Sequence, residues 1–152
     1  MNALGRGARL GVDVGEVRVG VAICDPDGIL ATPLTTLPRS HRPDTGGITS
    51  DMSELARLVE AHGIVEVVVG LPMTLAGAEG PAAAQARDYA QRLARVVAPV
   101  PVTLVDERLS TAVATRKLSG QGVKGRRRRK VVDQAAAVEI LQGWLDAQRR
   151  RT

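Results

Sequence analysis

Two apolar runs near the N-terminus limit the folds open to this chain. Leu10, Val12 and Val14 alternate with Gly11 and Asp13, and a second run, Val17-Arg18-Val19-Gly20-Val21-Ala22-Ile23-Cys24, follows directly after Gly15 and Glu16. A parallel return needs a crossover of a dozen or more residues, so runs this close pair only as an antiparallel hairpin. Asp25-Pro26-Asp27-Gly28 is a turn sequence. A third strand follows from Ile29 as far as Leu37, in which Pro33 marks a bend or an edge position. The chain therefore opens as a three-stranded meander. By the two-residue period of a strand, Leu10, Val12 and Val14 share one face. Asp13 lies on the other, between Gly11 and Gly15, which leave space beside its carboxylate. An acid so placed can ligate a metal, act as a base, contact a ribose or sit solvated at an edge.

Beyond the meander the pattern alternates. Pro38 to Ser50 is rich in Pro, Gly, Ser, Thr and charge and reads as an exposed loop. Helical spacing from Asp51 sets Met52, Leu55, Leu58 and Val59 on one face, with Ser50 or Asp51 as the cap and Gly63 as terminator. Ile64 to Gly70 is almost wholly apolar, the mark of a strand covered on both sides. A glycine-containing loop from Leu71 to Pro81 leads into an Ala-rich helix, Ala82 to Val97, which buries Ala86, Tyr89, Ala90 and Leu93. Pro99 and Pro101 bracket its end, and Val102 to Asp106 is the fifth strand. Ser110 to Leu118 is helical with Ser110 as N-cap, Ser119 to Gly125 is a mobile connection with three glycines, and Val131 to Gln148 is the last helix. This order predicts an α/β fold: a mixed sheet, three antiparallel strands and then parallel ones, flanked by helices. One domain spans 1–152, with 1–8 and 149–152 as flexible tails, and there is no internal repeat.

Composition narrows the partners. The chain has 152 residues, a formal net charge of +5, no Phe, one Trp and one Tyr. Its core must therefore be aliphatic. The basic residues are clustered, above all in the unbroken run Arg126-Arg127-Arg128-Arg129-Lys130, which points to a polyanion such as nucleic acid. Scarce aromatics argue against base stacking and for salt-sensitive phosphate contact. Cys24 is the single cysteine, which excludes an internal disulfide and a thiolate cluster and leaves a bridge between two chains formally open. No stretch has the length of a membrane span, and residues 1–9 lack the apolar run of a secretory signal, so a cytoplasmic protein is expected.

Carboxylates stand at three places where a site could form. Besides Asp13 there is Asp106-Glu107, at the C-terminal end of the fifth strand, where ligands gather in parallel sheets. Neighbouring strand residues point to opposite faces, so only one of that pair can join a site with Asp13. Asp133 shares a helical stripe with Ala137, Ile140 and Trp144 and faces inward with it. Three acids brought together repel unless a cation is present. A hard ion such as Mg²⁺ or Mn²⁺ takes oxygen ligands and retains waters for a substrate phosphate. Acids beside a cationic segment thus suggest a metal-dependent phosphodiesterase. His41 and His62 lack metal-ligand spacing, and no phosphate-cradling glycine loop ending in Lys-Ser or Lys-Thr is present.

Four motifs occur in the order found in the YqgF family, also called RuvX, and the chain resembles that family from Leu10 to Gln148. They are Gly11-Val12-Asp13-Val14-Gly15, Val69-Gly70-Leu71-Pro72, Val105-Asp106-Glu107-Arg108-Leu109-Ser110-Thr111 and Lys130-Val131-Val132-Asp133-Gln134-Ala135-Ala136. The family is described both as Holliday junction resolvases and as nucleases that mature the 5′ end of pre-16S rRNA. The resemblance implies an RNase H-like fold, a five-stranded mixed sheet with helices on both faces. It implies an acidic triad at Asp13, Glu107 and Asp133 that binds Mg²⁺ or Mn²⁺, with Glu107 preferred to Asp106 because the related RuvC resolvases carry their second acid there. The cations expected to meet nucleic acid are Arg18, Arg108, Lys124, Arg126, Arg127, Arg128, Arg129 and Lys130. Resolving a branched junction by paired cuts would call for a homodimer. Two departures stand out: Thr74 and Ala76 replace an Asn and an Asp of many relatives, and the Arg39–Thr49 loop is long. Two other classes compete. An actin-like or sugar-kinase ATPase opens similarly but needs two lobes. A non-catalytic nucleic-acid or ribosome-associated module would tolerate loss of the acids, which are intact here.

Overall fold

A computed structural model describes residues 5–43, 47–74, 76–109 and 126–150. The elements are β1 (Arg9–Val14), β2 (Arg18–Cys24), β3 (Ala31–Pro38), α1 (Ser50–Ala61), β4 (Glu66–Leu71), α2 (Pro81–Val97), β5 (Val102–Asp106), a 3₁₀ turn (Glu107–Leu109) and α3 (Arg126–Arg150). They form one five-stranded sheet in the order β3-β2-β1-β4-β5. β1 and β2 pair antiparallel, as do β2 and β3, whereas β4 runs parallel to both β1 and β5. The expected α/β mixed sheet is therefore present. β3 is an edge strand, and opposite Val21 and Ala22 it pairs through Thr35 and Pro33, so Leu34 is an extra residue at the register shift. A proline that cannot donate to the ladder is accommodated there.

The two faces of the sheet carry different cores. Leu10, Val12, Val19, Val21, Val67 and Val69 pack against Met52, Leu55 and Leu58 of α1 and Tyr89, Leu93 and Val97 of α2. On the opposite face Ala22, Cys24, Val68 and Val105 meet Ala136, Ala137, Ile140, Leu141 and Leu145 of α3. α3 comes close to the sheet because Gly11 lies beneath it: a Cβ there would stand 2.6 Å from Leu141 Cβ and 2.9 Å from the Ala137 carbonyl oxygen. Gln142 fastens α3 to the β2–β3 turn, accepting from Ala31 N–H at 2.8 Å and donating to the Ile29 carbonyl at 2.9 Å. Cys24 is a buried free thiol, and burial raises its pKa.

Three expectations about element ends change. α1 is capped at Thr49 rather than Ser50 or Asp51, without a side-chain cap bond. Asp51 is instead buried in the core, accepting the Tyr89 hydroxyl at 2.7 Å. α3 starts at Arg126, not Val131, so the basic run is helix rather than a flexible approach. Arg and Lys are good helix formers, so the helix extends through the run despite its like charges. α3 also continues past Gln148, and Arg149 donates to the Gly28 carbonyl at 2.6 Å. The expected helix at 110–118 and the connection at 119–125 lie outside the described residues, as do residues 1–4 and 151–152.

Candidate metal and nucleic-acid site

Both lateral neighbours of Asp13 on the sheet are glycines. Asp13 is paired with Gly20 on β2, and the parallel register Val12–Val69 brings Gly70 of β4 beside it at the next step. The space each glycine leaves is taken by a residue from another acid-bearing segment. A Cβ on Gly20 would run into the Asp133 backbone carbonyl and come within 3.2 Å of Asp133 Cβ. A Cβ on Gly70 would lie 2.9 Å from Glu107 Oε1 and 3.1 Å from Glu107 Cγ. Asp133 and Glu107 thus stand on either side of Asp13 on the α3 face of the sheet, where adjacent strands are about 4.8 Å apart. Asp13 is 4% and Glu107 1% exposed.

The phase of β5 separates Asp106 from Glu107. Val105 packs under α3 and Glu107 is buried on the same side. Asp106 turns away and binds Arg108, accepting its backbone N–H at 2.9 Å and its guanidinium Nη2 at 2.6 Å. The Arg108 guanidinium holds the Asp106 carboxyl below the usual range, against a smaller opposing effect of burial. Arg108, an expected phosphate contact, is paired with Asp106 and stays partly exposed.

Asp13 and Asp133 line one open cavity of about 620 Å³, walled by Gly15–Arg18 of the β1–β2 turn on one side and by Pro81, Ala82 and Gln85 of α2 on the other. Arg18 spans it: its Nε donates to Asp133 Oδ2 at 2.7 Å, both side chains being about a quarter exposed or less. Glu107 lies beneath Gly70, outside the cavity lining. Among the described residues no three acidic, histidine or cysteine side chains close around a point that could hold a metal ion. The donor chemistry nonetheless suits Mg²⁺ or Mn²⁺, which need only one or two carboxylates beside water and substrate phosphate. All three acids offer hard oxygen donors, and two of them are withdrawn from solvent.

Of the remaining expected contacts, Lys124 and the side chains of Arg126, Arg127, Arg128, Arg129 and Lys130 lie outside the described residues. The backbone of the basic run forms the turns of α3 that precede Asp133. The loop after Gly70-Leu71-Pro72 spends its polar groups on itself. Ala78 N–H donates to Thr74 Oγ1 at 3.0 Å, Thr74 N–H to the Ala78 carbonyl and Gly77 N–H to the Thr74 carbonyl, both at 2.9 Å. Glu79 anchors the loop to α2 through Arg87 at 2.6 and 2.7 Å. Sequence reasoning overlooked the close approaches at Gly20 and Gly70 and the place of Gln85 in the cavity wall. The glycines did leave a signal, since each interrupts an otherwise aliphatic strand.

Comparison with known proteins gives the family and the fold. A model of the family described as "RuvX: Holliday junction resolvase" matches residues 7–147. A protein named "Putative pre-16S rRNA nuclease" in Rhodococcus opacus (strain B4) is 56% identical over 146 residues, 96% of this chain and 81% of that protein. A protein of the same name in Streptomyces avermitilis is 54% identical over 144 residues, 95% of this chain and 88% of that one. Among solved structures, Thermus thermophilus RuvC in complex with Holliday junction substrate aligns with a TM-score of 0.57 at 15% identity, covering 93% of this chain and 95% of that chain. That likeness assigns the fold, which is RNase H-like.

Proposed function

Because the chain belongs to the RuvX Holliday junction resolvase family, we propose that it is a divalent-metal-dependent endonuclease that processes the 5′ end of precursor 16S rRNA. The observation that carries this reading is the pair of glycines beside Asp13, whose vacated positions admit Asp133 on one side and Glu107 on the other. Asp13, Glu107 and Asp133 would hold Mg²⁺ or Mn²⁺. When bound, such an ion polarises a phosphoryl oxygen and lowers the pKa of water so that it can attack phosphorus. The chain's own part is to bind and orient. Arg18 sets a cation beside Asp133 at the cavity, where it can meet a phosphate oxygen as well as the carboxylate. The turns of α3 ahead of Asp133 add the sequence-independent attraction of Arg126 to Lys130 for a phosphate backbone. Tyr89 is buried and Trp144 lies under Arg9, so neither offers a stacking platform and recognition rests on phosphate and shape.

The names of relatives more than half identical favour precursor rRNA. The second reading, a four-way DNA junction, is favoured by the family description. It would require two copies of the chain to make paired cuts. Either nucleic acid would be met in the cytoplasm, the location this reading calls for. No helix of the described residues is long and apolar enough to cross a membrane.

The deciding experiment offers purified protein a precursor-rRNA 5′ segment and a four-way junction, each with Mg²⁺, with Mn²⁺ and with EDTA, beside the Asp13→Asn variant. The expected result is metal-dependent cleavage of the RNA, abolished by EDTA. Asp13→Asn should lower the rate by about a thousandfold, near 4 kcal/mol of barrier, with binding and melting temperature little changed. Asp13→Asn cleaving at the wild-type rate would sink the site. Salt-sensitive binding without any cleavage would mark a non-catalytic module.

A further inference from the structure

The long segment after β3 reaches back to the cavity. Arg39 Nη1 donates to the Gly15 carbonyl at 2.8 Å, and Arg39 N–H donates to the Val17 carbonyl at 2.8 Å. His41 Nε2 stands 3.2 Å from the carbonyl between them, that of Glu16, within reach of a bond donated by the tautomer protonated at Nε2. Three successive carbonyls of the β1–β2 turn are thus met from one short stretch of chain. Among the described residues the turn's other ties are the Gly15 N–H bond to the Arg18 carbonyl at 2.9 Å and the Arg18–Asp133 pair at its far end; between them Glu16 is exposed and Val17 is 65% exposed. Gly15, Glu16, Val17 and Arg18 nevertheless form one wall of the cavity, and Arg18 is the residue that reaches Asp133.

Arg39 is itself fixed from behind. Its guanidinium lies over the Tyr89 ring, 5.1 Å from the centroid, and the Tyr89 hydroxyl donates to the buried Asp51 at 2.7 Å. α1, α2, the segment after β3 and the β1–β2 turn are linked in series, ending at the cavity. We propose that Arg39–His41 is a strap that positions the Gly15–Arg18 turn for cleavage, with Arg39 as its positioning residue. A planar guanidinium suits the task, because it can stack on a ring with its face while donating in its plane. The strap gives the Arg39–Thr49 loop, otherwise without a role, a connection to the chemistry. The catalytic part of this proposal rests on the cavity being the nuclease site.

The test uses the full chain and two readouts. Amide hydrogen exchange is followed residue by residue in Arg39→Ala, Arg39→Lys and wild type, and cleavage is measured as kcat and KM separately. Arg39→Ala should raise exchange at Gly15 about tenfold, the bond closing the turn being freer to open, with β1, β4 and β5 unchanged. It should lower kcat by about ten- to thirtyfold, as expected for a displaced positioning group, with KM within about threefold. Arg39→Lys, which keeps the charge and one donor, should recover part of kcat. The strap is refuted if exchange at Gly15 is unchanged, if exchange rises across the whole sheet, or if the kinetic loss lies in KM alone. Should wild type show no metal-dependent cleavage, the nuclease reading fails by itself, and the exchange experiment still judges whether the strap holds the turn.

Discussion

On the α1–α2 face, β1 contributes Leu10 and Val12, both completely buried. One residue along from each, on the α3 face, it contributes Gly11 and Asp13. β2 and β4 repeat the contrast, with Val19 and Val21 against Gly20, and Val67 and Val69 against Gly70. One face fills its space with aliphatic side chains, each worth about 1.5–3 kcal/mol when buried. The other withholds side chains so that the main chain of α3 at Asp133 and Ala137 and the side chain of Glu107 can approach the strands. A single strand alternation therefore serves two ends. The odd and even positions of β1 answer to different demands, and substitutions on the two faces should fail in different ways.

The contrast breaks first if a substitution on the aliphatic face alters chemistry. Leu55→Ala should destabilise the fold by about 2–5 kcal/mol through the cavity it opens, while cleavage per folded molecule stays at the wild-type level. Denaturant melts beside active-fraction kinetics check this, and a matching loss of kcat would show the faces to be coupled. Gly20→Ala is the complement. The added methyl overlaps the Asp133 carbonyl, and the overpacking should cost about 1–3 kcal/mol. Here cleavage should fall more than stability explains, because α3 must lift Asp133 away. A Gly20→Ala protein that melts and cuts normally would refute close approach as the reason for the glycine.

The smallest effect lies at the rim, where neither demand applies. The Asp25 carboxylate accepts N–H groups of Leu30, Ile29 and Asp27, chiefly that of Leu30, which lowers its pKa. A carboxyl with a depressed folded pKa contributes stability that is present above its unfolded value of about 3.9 and lost as pH falls through the folded one. Asp25→Asn should accordingly flatten the acid side of the stability profile below pH 4 and leave cleavage at neutral pH alone. An unchanged acid limb would show that the turn does not depend on the charge.

Much of this was legible from residues alone. The two-residue period separated Asp13 from the core, and the short link between Val14 and Val17 imposed the hairpin. Chain order then predicted the mixed sheet. Where reading stopped, it stopped for physical reasons. Period two says that Asp106 and Glu107 part company but not which turns inward; that depends on Val105 packing beneath α3, a contact between distant segments. Asp51 looked like a helix cap because an acid before an apolar stripe usually is one. Its partner, Tyr89, is 38 residues away and left no local trace. The Arg126–Lys130 run carried two opposed signals, helix propensity and mutual repulsion, and a local rule could not rank them. Gly20 and Gly70 were placed in strands without a role, because nothing along the chain tells a missing side chain from one whose place is taken.

Among the described residues α3 alone forms the second layer of the fold, and it is the last described element. A ribosome delivers residues in order, and β1 with its turn leaves the tunnel long before Asp133 is made. Until the final helix docks, the α3 side of the sheet is an open glycine-lined floor with one acid of the proposed three missing. On the proposed site, a chain in which α3 has not yet docked would be unable to cut, so completing this second layer would be the step that switches the activity on.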